Sequence, residues 1–232
     1  MLDRMIEKAR EQEVFSREDT PTRRRILAAF LYRAGLSYRK IEPFVGRSYE
    51  AVRQWFHRLK HLFEPDCQER DEVAVDETNI EIDGKEVYVW AAVDCETLEV
   101  LAVEVSPGRS SLDALLFLED VLERCRGRPL MRADRGPWYD WPLEMLNCEF
   151  ERETWGNRSL IEAWFGLFKY RTRRFWHRFP YRSTTHSTRS WLTAFATLHN
   201  ARSNLDTLAK VCHIFSTILG VHQMRGSARL RT

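Results

Sequence analysis

The spacing of apolar residues changes twice along the chain. Between residues 22 and 63 it has the helical period. Ile26, Leu27, Phe30 and Leu31 make one apolar face, Ile41, Phe44 and Val45 a second, and Val52, Trp55, Phe56 and Leu59 a third. Gly35 and Gly46 separate the three, and Ser37 and Ser48 stand where helices two and three need N-caps. Helix, short helix, glycine turn, helix is the helix-turn-helix arrangement. Residues 1–21 read as a polar helical arm with a weak apolar pattern of Leu2, Met5, Ile6 and Ala9.

After a linker at 64–68 the period becomes two. Val73, Val75, Ile80 and Ile82 predict a strand over 73–82, and Asp83-Gly84 a hairpin into a second strand at 86–93. A third strand follows at 98–105. Ser110 or Ser111 then starts a helix with Leu112, Leu115, Leu116, Leu118, Val121 and Leu122 on a broad apolar face. Leu130–Asp134 is a short strand, and Arg135-Gly136-Pro137 turns into a short helix containing Trp138, Tyr139, Leu143 and Leu146. Cys148–Glu153 is a fifth strand, Asn157 opens a long helix over 159–176, and a further helix covers 187–202. The pattern βββαβαβα predicts an α/β core over 69–202 built on a five-stranded mixed sheet. Residues 203–232 read as a C-terminal helix, 205–219, and a basic tail.

Within that pattern Asp76 is out of place. It sits in a β-branched run, where an uncompensated carboxylate is costly to bury. A strand-helix-strand crossover makes the strands carrying Asp76 and Asp134 parallel neighbours. Glu162, in the first turn of the long helix, packs across the same sheet. The topology therefore predicts that Asp76, Asp134 and Glu162 form one site. Asp94 reads instead as a strand-end turn residue, because a hairpin at 83/84 sets Asp76 opposite about Ala91.

Charge adds a partner. Net charge is +2, but residues 1–62 carry +6, residues 63–162 carry −15 and residues 163–232 carry +11. Basic ends suit a polyanion, and an acidic centre suits cations. On the third helix Ser48, Tyr49, Glu50, Arg53 and Gln54 would face DNA, with Arg47, Arg58 and Lys60 near phosphates. Arg171–Arg182 interleaves basic and aromatic residues as a DNA-tracking surface, and Trp138, Trp155 and Trp164 read as core or as base-stacking platforms. Five scattered cysteines support neither disulfides nor zinc and read as buried or neutral thiols. No apolar run is long enough for a transmembrane helix and no signal-peptide core opens the chain, so the expectation is a cytoplasmic protein with no membrane role.

Val75-Asp-Glu-Thr78, Tyr88-Val-Trp-Ala-Ala-Val-Asp94, Ala133-Asp-Arg-Gly136 and Asn157-Arg-Ser-Leu-Ile-Glu162, followed by Lys169-Tyr-Arg-Thr-Arg173, resemble the DDE transposases of prokaryotic insertion sequences. The resemblance covers about residues 22 to 200 and implies a ribonuclease H-like core. It implies metal ligation by Asp76, Asp134 and Glu162, and a DNA-end contact at Lys169. Arg173 lies on the same helix face, one turn beyond. Two Mg²⁺ ions, or Mn²⁺ in their place, would clamp the attacking and leaving oxygens of a phosphodiester, and such hard cations want carboxylate ligands. The expected partners are double-stranded DNA, at element ends and target, and a second copy of the chain in a homodimer. The alternatives are a retired transposase that only binds DNA, and a ribonuclease H-like nuclease that only hydrolyses it. The short interval between Asp134 and Glu162 leaves little room for an inserted domain.

Overall fold

The computed structural model describes residues 2–16, 19–152, 158–172, 178–179 and 183–201. Arg173, Trp155, Asn157, Cys212, most of the basic-aromatic run, the 205–219 helix and the basic tail lie outside the described residues.

The helical part follows its apolar faces. Helix α1 (Leu2–Glu11) buries Leu2, Met5, Ile6 and Ala9. Helices α2 (Thr22–Arg33), α3 (Tyr38–Val45) and α4 (Tyr49–Arg58) form the three-helix unit, and a 3-10 turn (Leu59–Leu62) follows. The Ser37 hydroxyl accepts from the Lys40 amide and that of Ser48 from the Ala51 amide, so both serines are N-caps. Gly46 ends α3 in the left-handed region at φ 62°, where a side chain would be strained. Phe44 departs from the expectation: it is 40% exposed, because the two-turn α3 buries only the Ile41–Val45 pair one turn apart.

The sheet has the predicted topology. Strands β2 (Glu72–Ile82), β3 (Lys85–Asp94) and β4 (Val100–Ser106) form an antiparallel meander, and β6 (Leu130–Ala133) and β7 (Phe150–Arg152) add in parallel on the other side of β2. The order β4-β3-β2-β6-β7 is the mixed five-stranded sheet of a ribonuclease H-like core. Two small features are additional. Strands β1 (Gln68–Glu69) and β5 (Cys125–Arg126) pair apart from the sheet, and β8 (Arg178–Phe179) pairs with the far end of β2. Strand β4 starts at Val100 rather than Leu98, because Leu98, at φ 60°, closes a turn by donating its amide to the Asp94 carbonyl.

Alternation along β2 gives each face its own core. Ala74, Ile80 and Ile82 pack with α7 (Arg158–Thr172) and α8 (Thr185–Asn200), whereas Val73 and Val75 pack with α5 (Ser111–Leu122) and the segment around α6 (Asp140–Met145). Helix α5 buries Ala114, Leu115, Phe117, Leu118 and Val121, but Leu112 and Leu116 are each 60% exposed. Those two leucines lie roughly 120–160° around the helix from Ala114 and Leu118, beyond the stripe that meets the sheet. Trp164 is core, as are Cys125 and Cys148, whereas Cys67 is exposed because it precedes the two-residue β1 at the surface.

The helical unit and the α/β core are not separate bodies. Tyr32, Phe56 and Leu59 share one buried cluster with Trp191, Phe195 and the sheet. Trp191 donates its indole N–H to the Tyr32 hydroxyl at 3.1 Å, and Thr197 donates to the Leu59 carbonyl at 3.1 Å. Buried Arg171 lies 3.9 Å over the Tyr32 ring and donates to the Leu36 carbonyl at 3.3 Å. Among the described residues no helix is long and apolar enough to cross a membrane.

Candidate active site

Strand register sets the site. In the β2–β3 ladder Asp76 pairs with Ala91, as the hairpin at Asp83-Gly84 requires. In the β2–β6 ladder Ala74 pairs with Arg132, so two residues further on Asp134 continues the face that Asp76 occupies. Asp134 lies immediately past the C-terminal end of β6, where the chain turns. Oxygens of Asp76, Glu77 and Asp134 lie within 4.8 Å of one another. Asp76 is buried and the other two are partly so.

Each carboxylate is held by its own local geometry. An Asp76 oxygen accepts from the Glu77 amide at 2.9 Å, and an Asp134 oxygen accepts from the Gly136 amide at 2.7 Å. Glu77 is the most elaborately held. It points into the other face of the sheet, where its side chain is 3% exposed. Its carboxylate accepts from the Tyr139 hydroxyl at 2.9 Å and the Trp138 indole at 3.3 Å, and pairs with Arg109 at 3.2 Å. Burial pushes the Glu77 carboxyl above its ordinary range. The Tyr139 hydrogen bond opposes that shift and the Asp134 charge adds to it. Burial, with the Glu77 and Asp76 charges, also holds the Tyr139 phenol protonated far above its usual range, so it stays a donor.

Glu77 was not among the residues singled out from sequence. The sole signal for it is its place beside Asp76 in a strand whose two faces are both buried. Asp94 is the strand-end residue expected of it: its carboxylate accepts from the Glu96 and Thr97 amides and pairs with buried Arg70 at 2.5 Å.

Glu162 sits in the second turn of α7, exposed and outside the three-carboxylate cluster. Its helix lies on the Asp76 face, for neighbouring Ile161 and Trp164 pack in one cluster with Ala74 and Ala91. Lys169 is exposed two turns further along α7.

The residues of the helical unit expected to face DNA are partly occupied by internal partners. Arg47 donates to the Thr20 hydroxyl and the Asp19 carbonyl. Arg53 is held in a two-bond fork by Glu50, which also accepts from Gln54. Arg58 reaches the Val14 carbonyl at 3.5 Å, the Ser48 hydroxyl is used as a cap, and the Tyr49 ring lies 5.0 Å from the Arg39 guanidinium.

The cluster fits a divalent cation by its chemistry. Its donors are carboxylate oxygens alone, close enough for one ion to draw on several, with neither thiol nor imidazole among them.

Residues 70–203 match the DDE domain of IS240-type transposases. An uncharacterized protein of Methanocaldococcus jannaschii is 37% identical over 199 residues, which span 84% of this chain and 93% of that protein. Among solved structures, the catalytic core domain of BIV integrase superposes with a TM-score of 0.43 at 15% identity, covering 63% of this chain and 96% of that one. The HTLV-2 integrase core, solved in complex with magnesium, gives a TM-score of 0.43 at 14% identity, covering 57% and 87%. With the match spanning the whole of the sheet and the carboxylates it carries, this chain belongs to the DDE transposase family of polynucleotidyl transferases.

Proposed function

We propose that the protein cuts and joins DNA strands at the ends of an insertion sequence, with Asp76, Asp134 and Glu162 as the ligands of two divalent ions. The convergence of Asp76 and Asp134 on adjacent parallel strands carries the reading. Magnesium bound there would supply positive charge to the scissile phosphate and to the attacking and leaving oxygens. Asp76 and Asp134 act from fixed backbone positions, each oriented by an amide hydrogen bond, so the site is preorganised. Glu162, exposed on a helix over the Asp76 face, completes the set from above.

The end is read by α4 through Ser48, Tyr49, Arg53 and Gln54, with Arg47 and Arg58 on phosphates. Lys169 and Arg173 extend the contact along α7 toward the cut. The active form is a homodimer that holds two ends.

The test is direct. Asp76→Asn and Asp134→Asn should each bind end DNA as the parent does and lose Mg²⁺-dependent nicking. Undiminished nicking by either variant rules the assignment out. A pre-cut 3′-OH end supplied with target DNA should be joined to it, and nicking without joining would mark a hydrolytic nuclease instead.

A further inference from the structure

Arg109, in the loop between β4 and α5, pairs with one of the clustered carboxylates. Its guanidinium lies 3.8 Å from the Trp138 ring centroid and 5.1 Å from that of Tyr88. One of its nitrogens, Nη1, donates to Glu77 at 3.2 Å. Glu77 is itself fixed by Tyr139 and Trp138 and lies within 4.8 Å of the Asp76 and Asp134 oxygens. The side chain is nevertheless 39% exposed. Among the described residues, Nε and Nη2 have no hydrogen-bond partner.

A surface arginine paired with a carboxylate commonly keeps spare donors in water, on a side chain that is free to move. This one is clamped on one edge and against aromatic faces, and it keeps donors toward solvent beside an acidic centre. A guanidinium held flat in this way loses little further entropy on meeting a phosphate, and its planar fork can engage two phosphate oxygens at once.

We infer that Arg109 contacts a backbone phosphate of the DNA strand in the active site, and that Glu77 is the positioning residue that aims it. The inference rests on the reading that DNA is the substrate. The segment that carries these carboxylates, residues 63–162, has a net charge of −15, and such a cation would offset the repulsion between the carboxylates and the incoming strand. Trp138 backs the guanidinium and limits it to a narrow range of orientations.

Binding of end DNA measured over a range of salt concentrations, without divalent ions, tests this. Each phosphate contact contributes about 0.9 to the slope of log affinity against log salt. Arg109→Gln should lower the slope by about that amount, raise KM for nicking several-fold and leave the melting curve cooperative. Arg109→Lys should restore the slope while regaining only part of the affinity, because the two-donor fork is lost. Should Arg109→Gln fail to fold with Glu77 left unpaired, the neutral double variant Arg109→Gln/Glu77→Gln takes its place and must show the same lowered slope. A parental slope in the folded variant overturns the inference. Failure of the parent itself to bind end DNA overturns the functional reading beneath it, so the two failures are distinguishable.

Discussion

Asp76 and Glu77 are consecutive on β2 and face opposite sides of the sheet, with Asp76 across from Ala91 and Glu77 across from Trp90. One site thus draws carboxylates from both cores. The two residues should respond differently to neutralisation. Asp76→Asn removes one of three like charges whose oxygens lie within 4.8 Å, so the metal-free protein should be at least as stable as the parent while nicking is lost. Glu77→Gln replaces an acceptor for three donors with a group that is itself half donor, and should cost about 1–3 kcal/mol. Urea unfolding of the two variants in chelator gives the comparison, and a Glu77→Gln protein as stable as Asp76→Asn would contradict it.

Gly136 is required by a close approach. A Cβ there would lie 2.3 Å from the Trp138 ring and 2.7 Å from an Asp134 oxygen. Gly136→Ala should therefore displace Trp138, Asp134 or both, and cost about 1–3 kcal/mol as an overpacked site does. Adding Trp138→Ala should recover part of that loss. A double-mutant cycle on melting temperature measures the coupling, and strict additivity would show that the two do not touch.

His57, on α4, is held neutral. Burial, with Arg53 and Lys60 nearby and Glu50 opposing them, lowers its pKa to about 4. The unfolded chain protonates this ring near pH 6.5, before the folded one does. Stability from this group is therefore complete above about pH 6.5 and declines as pH falls toward about 4. Denaturant midpoints at a series of pH values should show the decline, and His57→Gln should flatten it.

Arg70 and Asp94 form a buried pair that Glu99 completes on the arginine side. Burial raises the Asp94 carboxyl, but the Thr97 amide, Arg70 and the Glu96 amide outweigh that and hold it below its ordinary value. Arg70→Ala leaves that carboxylate buried without its cation and should cost about 3–5 kcal/mol, whereas replacing both partners with apolar residues should cost far less. Chemical denaturation of the single and double variants separates the two cases.

Much of this architecture was legible in the chain because it depends on local signals. Period-two alternation and the Asp83-Gly84 turn fix the register of β2 on β3, which sets Asp76 opposite Ala91. The crossover rule brings β6 beside β2, and with it Asp134. The misjudged positions are those decided by distant contacts. Leu112 and Leu116 look like core until the angle at which α5 meets the sheet is known, and Phe44 likewise. Glu77 is silent in sequence, because its importance comes from Tyr139 and Arg109, which lie 62 and 32 positions away. The docking of the helical unit was illegible for a similar reason. Trp191 and Phe195 both lie on α8, and nothing local marks Tyr32 as the partner of Trp191.

That docking has a geometric outcome. Tyr32, Trp191 and Arg171 join α2 to α7 and α8, and α4 packs in the same buried cluster, so its place relative to the carboxylates is set by packing. Under the proposed function, the molecule is then a ruler. The number of base pairs between the sequence it reads and the bond it breaks is set by protein packing. Inserting a few base pairs into that interval of an end should move the cut by the same number while recognition stays where it was.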